Sequence, residues 1–334
     1  MTKLVFVTQR VDPDHPVLAT AVPKITALAE RVDEVVVLAL GAKPGVLPDN
    51  CRVRTFGAPT KLLRGVRFAQ ALAAELVRGR PKALFAHMSP IYAVLAAPVV
   101  RPLGVRVLLW YTQVRTNPLL ERAVRLADAV FTTDERSFPF SSPKVHAIGH
   151  GIDVSRFTCN APPGRQRLRL LALGRYSQVK CYPELIAAVA KLDAELVIHG
   201  STETDAERAH LPEIERLAAA VGDRIVVGGA VSPAEVPALL ADADALVSGT
   251  RGGADKVVLE AGAACVPAFS PAPAFAELLP PPLRWEHDLA AALEQFTALA
   301  PAERNALGRE LSARVREQHS LDRWADQIVA AAMR

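Results

Sequence analysis

The chain has 334 residues, 50% of them hydrophobic and 22% charged, with a mean hydropathy of +0.18; it is too apolar for a solvated disordered chain and long enough for two domains, each with its own core. A net charge of +4 with 5% aromatic residues argues against nucleic acid as the main partner, which asks for a basic face with stacking platforms. No apolar run reaches the ~18 residues of a membrane span, and the apolar stretch that opens the chain is too short for a secretory signal, so a cytoplasmic location is expected.

Taken in chain order, apolar runs of strand length alternate with helical periods. Strands are predicted at residues 4–8, 34–40, 52–56, 83–86, 106–110, 129–132 and 145–148, with helices at 17–31, 62–78, 91–103 and 118–127. The strand runs are apolar on both faces, as in a parallel sheet covered by helices on each side. Residues 160–166, Asn-Ala-Pro-Pro-Gly-Arg-Gln, form turns without apolar period and read as a linker. The pattern then restarts, with strands at 168–173, 195–199, 224–227, 245–248 and 266–269 and helices at 182–192, 205–221, 233–241 and 256–264. Beyond Pro280-Pro281-Pro282, helical segments continue to Arg334. Two doubly wound α/β domains in tandem are the expectation, with ligands at the carboxyl ends of the strands.

Several common chemistries lack their residues. The first strand runs into Gln9-Arg10-Val11-Asp12-Pro13-Asp14 with no Gly-x-Gly-x-x-Gly turn, and there is no Walker loop or Gly-x-Ser-x-Gly elbow. Cys51, Cys159, Cys181 and Cys265 form no Cys-x-x-Cys pair and are expected to be isolated buried thiols. Asp242 and Asp244 end a helix and read as a solvated loop, while His146 and His150 sit four apart, yet 145–148 reads as strand, where that spacing builds no helical metal pair. No metal or other cofactor is expected.

The second half carries stronger signals. The strand at 168–173 ends in Gly174-Arg175, and Lys180 precedes the next helix, so two cations border a helix start where a diphosphate is well served. Further on, Thr250-Arg251-Gly252-Gly253-Ala254-Asp255-Lys256 leads into a helix of small apolar residues that contains Glu260. The glycines admit a close ligand, and the helix start offers N–H groups to an anion. A carboxylate in such a helix is expensive to bury unpaired. Glu260 therefore either reaches solvent or accepts hydrogen bonds from a ligand such as a ribose diol.

Together with His150-Gly151-Ile152-Asp153 and Arg156-Phe157, these segments resemble the retaining glycosyltransferases of family 4. The resemblance spans most of the chain and is strongest from about 146 to 269. It implies the GT-B fold: two facing Rossmann-like, doubly wound domains with a deep inter-domain cleft. Residues 1–160 would form the acceptor domain, 161–315 the nucleotide-sugar domain, and 316–334 a helix crossing back to the first. It also implies a UDP- or GDP-linked sugar donor and a hydroxyl acceptor, whether glycan, lipid-linked sugar or small natural product. Arg175, Lys180 and His87 would be catalytic; Gly174, Gly253, Asp255, Lys256, Glu260 and His199 would bind the donor; Asp12, Asp14 and Gln113 would meet the acceptor.

Three departures stand out. The family carries two glutamates eight positions apart; Glu260 matches the second, but position 252 is glycine. The first loop has Asp12 and Asp14 where a glycine pair is frequent, and Gln113, which cannot exchange a proton, stands where a histidine is common. A nucleotide-binding protein without turnover and a nucleotide-sugar 2-epimerase are the alternatives. The helix near 62–82 sets Lys61, Arg64, Arg67, Arg78, Arg80 and Lys82 around an apolar stripe. An ordinary solvated surface is the simpler reading of it, and peripheral contact with the inner face of an anionic membrane the other.

Overall fold

The computed structural model describes residues 2–15, 17–160, 165–285 and 287–334. Residues 161–164 of the predicted linker lie outside the described residues. The chain divides into two compact units, one of Met1–Gly151 with Leu321–Arg334 and one of Ile152–Ser320; the boundaries expected from the sequence are 160 and 315. Both units are α/β with wholly parallel sheets.

Unit 1 holds β1 (Lys3–Val11), β2 (Glu34–Ala42), β3 (Cys51–Thr55), β4 (Ala83–His87), β5 (Arg106–Trp110), β6 (Ala129–Thr132) and β7 (Val145–Ala147), in the order β3-β2-β1-β4-β5-β6-β7. Leu4 of β1 lies opposite Val35 on one side and Ala83 on the other. Right-handed crossovers dictate the helix layers. The connection from β1 to β2 places α1 (Ala21–Ala29) on one face; those running from β3 to β6 place α2 (Lys61–Arg78), α3 (Pro90–Val100) and α4 (Pro118–Leu126) on the other. Alternation along the strands then sorts the core. Phe6, Phe85 and Trp110 join Ile25 of α1 and Trp324 of α11 (Leu321–Met333), whereas Val7, Leu84 and Leu109 join Phe68 of α2, Ala97 of α3 and Leu120 of α4.

Three elements depart from the expectation in a physically simple way. Strands β3 and β7 are not apolar on both faces but partly exposed, because they are the two sheet edges. The helix expected from residue 17 starts at Ala21, because the Nδ1 of His15 accepts the N–H groups of Val17 and Leu18 and holds them in a turn.

Unit 2 holds β8 (Leu168–Leu173), β9 (Ala194–His199), β10 (Ile225–Gly228), β11 (Ala245–Val247) and β12 (Ala268–Phe269), ordered β10-β9-β8-β11-β12. Around them run α5 (Tyr182–Val189), α6 (Asp205–Val221), α7 (Val236–Ala241), α8 (Lys256–Ala263), α9 (Leu289–Ala298) and α10 (Pro301–His319). Gly262 of α8 lets α10 approach, since a Cβ there would stand 2.7 Å from Val315.

The four cysteines are not the isolated buried thiols expected. Cys159 and Cys265 form a disulfide with Cα atoms 5.0 Å apart, across a sequence separation of 106 that hides the pair in the sequence. Cys51 and Cys181 are free but only partly buried. Asp242 and Asp244 are not a solvated loop either: Asp242 pairs with Arg165 and, at 2.6 Å, with Arg169, whose own N–H donates to Asp244 at 2.8 Å. Among the described residues, no helix is long and apolar enough to cross a membrane.

Candidate functional site

Each sheet reverses its strand order once, between β1 and β4 in unit 1 and between β8 and β11 in unit 2. Crevices form at such reversals, outside the carboxyl ends of the strands.

In unit 2 the reversal is built around one lysine. Strand β8 is followed by Gly174, with φ at 141°, where a Cβ would strike the Lys180 side chain. Glycine therefore lets that side chain lie across the strand end. Its Nζ donates to Asp255 at 2.7 Å and lies 3.4 Å from the Leu173 carbonyl. The hydroxyls of Ser248 and Thr250, just beyond β11, donate to the same carboxylate oxygen at 2.8 and 3.1 Å. Burial would raise the Asp255 pKa, but the Lys180 ammonium and the two hydroxyls outweigh it and hold the carboxyl below its usual range. The next residue, Cys181, sits in the left-handed region at φ 51°, a cost of about 1–3 kcal/mol that marks the turn into α5 as over-determined by its surroundings.

Arg175 is anchored differently. One of its N–H groups donates to Glu207 at 2.6 Å, and Glu207 is the buried third residue of the α6 capping box, accepting the N–H groups of Glu203 and Thr204 at 2.8 and 3.0 Å. The Arg175 side chain remains 44% exposed, so the rest of its guanidinium fork faces solvent. His199 closes β9, its Nδ1 3.4 Å from the Gly229 carbonyl and its ring against Gly228, where a Cβ would stand only 2.5 Å away. Arg175, Lys180, Asp255 and His199 thus gather at one end of one sheet. Gly253, at φ 81°, shapes the loop into α8. One turn inside that helix, Lys256 donates to Glu260 Oε1 at 2.5 Å, while the buried Oε2 accepts from no described residue.

Unit 1 arranges its groups otherwise. His87, the last residue of β4, is buried and stacks on Phe6 at 5.4 Å, with no partner for Nε2 among the described residues. Burial, reinforced by the Lys24 charge, pushes its pKa well below the ordinary histidine value, so it is neutral. Lys24 is itself buried, 4.4 Å from the Trp110 ring centre and 4.9 Å from that of Trp324. Met88, directly after His87, is another strained residue at φ 53°. Asp12 accepts the Asp14 N–H at 3.2 Å and Arg10 at 3.3 Å; Asp14 pairs with Lys43 at 2.5 Å; Gln113 accepts the Tyr111 hydroxyl at 3.3 Å. Among the described residues, apart from the Asp14 N–H donated to Asp12, no hydrogen bond links His87, Asp12, Asp14 and Gln113 to one another.

Glu207, Ser248 and Thr250, to which the sequence assigns no role, are each a partner of a predicted residue. Only Glu207 had a signal, the Thr204-x-x-Glu207 spacing of a capping box. The two hydroxyl residues leave no local trace. Among the described residues, no group of three or more His, Cys, Asp or Glu is placed to hold a metal ion.

Residues 180–330 match a family model described as glycosyl transferase-like. No curated protein matches the sequence significantly. Solved structures match over nearly the whole chain. HepE of Anabaena, in complex with UDP and glucose, is 15% identical over 99% of each chain with a TM-score of 0.76. A glycosyltransferase from Rickettsia africae is 11% identical over 99% of this chain and 97% of its own, at 0.78. The N-terminal domain of Candida albicans trehalose-6-phosphate phosphatase is also 11% identical, over 100% and 97%, at 0.78. At such identities the likeness is one of fold, and the fold is GT-B.

Proposed function

We propose that the chain is a glycosyltransferase that moves a sugar from a nucleoside-diphosphate sugar, UDP- or GDP-linked, to a hydroxyl acceptor with retention of configuration, as in family 4. The observation that carries this reading is the set of groups in unit 2 around the β8/β11 reversal: two cations with N–H donors in reserve, and in α8 a buried Glu260 oxygen that lacks a donor. The Lys180 ammonium has three N–H groups, of which Asp255 and the Leu173 carbonyl occupy two, and Arg175 spends one of five on Glu207. A diphosphate would take the remainder. A ribose hydroxyl would supply the donor that Glu260 Oε2 lacks, relieving a cost of about 1–3 kcal/mol. The glycosyl transferase-like match over residues 180–330, which holds Lys180, Asp255 and Glu260, and the UDP held by HepE support the same reading.

As the glycosidic bond breaks, negative charge grows on the leaving diphosphate. Fixed cations then stabilise the transition state more than the ground state. With Arg175 and Lys180 in that role no metal is needed, and activity should survive a chelator. The acceptor in this proposal is a glycan, a lipid-linked sugar or a small natural product. The second reading, a nucleotide-binding protein without turnover, draws on the exposed Gly252, which offers no carboxylate to the sugar.

The test begins with a thermal-shift panel of UDP, GDP, ADP, dTDP and CMP. Saturation at a hundredfold excess over Kd adds about 2.7 kcal/mol, so a UDP or GDP response should be plain. No response to any nucleotide overturns the donor site. Nucleotide binding with neither hydrolysis nor transfer of the matching sugar donor leaves the second reading standing.

A further inference from the structure

The outer helical layer of unit 1 is built unlike an ordinary surface. Helix α3 exposes Ile91, Leu95, Pro98 and Val99, and every exposed residue it has is apolar. The following 3-10 turn continues the row with Pro102 and with Leu103, 44% exposed. On α2, which packs against α3, residues Leu62, Val66, Ala69, Ala73 and Val77 recur at helical spacing on the side away from the sheet. Leu62 and Val77 are 82% and 88% exposed, at the two ends of a helix about 27 Å long. Single exposed apolar residues need no explanation, but two rows of them on adjacent helices do.

The charges around these rows share one sign. Residues 61–106 contain eight Lys or Arg and one acid, Glu75. Glu75 is fully buried under α2, where Lys3 meets it at 3.3 Å and Arg52 at 2.7 Å, so its charge is spent inside. Of the eight cations, only Arg101 has a described carboxylate partner, Asp128 at 3.4 Å. Arg64 and Arg106 are only partly exposed, but Lys61, Arg67, Arg78, Arg80 and Lys82 are exposed with no described carboxylate partner, so the apolar rows are flanked by unneutralised positive charge.

We propose that the outer face of α2 and α3 docks on an anionic lipid bilayer. The chemistry selects this occupant. Apolar rows on amphipathic helices sink about 5–10 Å into the headgroup boundary while lysine and arginine stems reach back to lipid phosphates. A second copy in a symmetric contact would set these same cations against themselves. The proposal stands on unit 1 alone and does not depend on the donor reading of unit 2.

Co-sedimentation with vesicles of phosphatidylcholine alone, or mixed with phosphatidylglycerol, tests it. The full chain is expected to bind the mixed vesicles, to release them as salt rises, and to ignore the neutral ones. Arg78→Gln with Lys82→Gln should weaken binding about 25-fold, at roughly fivefold per cation. Leu95→Glu with Val99→Glu should abolish it. Both double variants should keep the melting temperature and any nucleotide response of the parent, which separates a lost surface from a lost fold. Absence of binding to mixed vesicles, or equal binding to neutral ones, overturns the proposal. So does self-association in light scattering that Leu95→Glu with Val99→Glu removes while vesicles are left unbound; the second copy is then the occupant.

Discussion

At the β1/β4 reversal of unit 1, Lys24 lies between two indole rings and His87 is held neutral beneath the strand ends. At the β8/β11 reversal of unit 2, Lys180 and Arg175 each rest on a carboxylate and keep N–H donors in reserve. The sheets follow one topological rule, yet their ionisable groups serve opposite ends. Rings and burial in unit 1 make its lysine part of the packing, because α11 returns to that unit and sets Trp324 5.6 Å from Trp110. In unit 2 glycines clear the strand end, and short polar side chains fill it. A strand-order reversal is thus a place for a site, and the side chains that cover it decide whether one exists.

The largest effect that sharpens this contrast is expected at Trp324, which is fully buried. Trp324→Ala should cost about 3–5 kcal/mol in denaturant melts. It should leave the nucleotide response of the intact protein unchanged at temperatures where it is folded. A lost response in a folded variant would break the separation of roles.

Next comes Asp255→Ala, which strands the Lys180 ammonium and two hydroxyls with little exposure. A stability loss of about 3 kcal/mol is expected. Adding Lys180→Met should recover much of that stability and none of the nucleotide affinity. A double variant no more stable than Asp255→Ala would show that the pair is not the cause.

Smaller again is Gly174→Ala. The side chain meets both a positive φ and the Lys180 stem, so about 1–3 kcal/mol of strain is expected, with weaker nucleotide binding because Lys180 must move. Gly65→Ala, on α2 with open space around it, is the control and should be neutral or mildly stabilising.

The smallest effect concerns acid. His87 is neutral when folded and its pKa lies well below 6.5, so as pH falls below about 6.5 the unfolded chain takes up a proton first. Its contribution is constant above that pH and is lost progressively as pH falls toward the folded pKa. Asp255 acts with the same sign, but only below about 3.8, where its carboxyl protonates in the unfolded chain. Urea midpoints measured against pH should therefore decline first through unit 1, and His87→Gln should flatten that first decline. An unchanged slope in the variant would place the titrating group elsewhere.

Much of the fold was legible because its signals are local. The predicted strands at 106–110, 129–132 and 168–173 coincide with β5, β6 and β8, and the helix at 205–221 with α6, where the Thr204 cap and Gly222 bound the apolar period. The presence of Arg175, Lys180 and Glu260 near strand and helix ends could be read for the same reason. Their partners could not. Glu207 lies 32 residues from Arg175, Asp255 lies 75 from Lys180, and the two bonded cysteines are 106 apart. Local pattern suffices for which segments alternate and where cations border a helix start, since propensity and periodicity act over a few residues. Which carboxylate holds each cation, which strands are edges and which apolar rows stay uncovered follow from long-range packing. Those depend on loops closing over tens of residues, and no local pattern records which ends will meet.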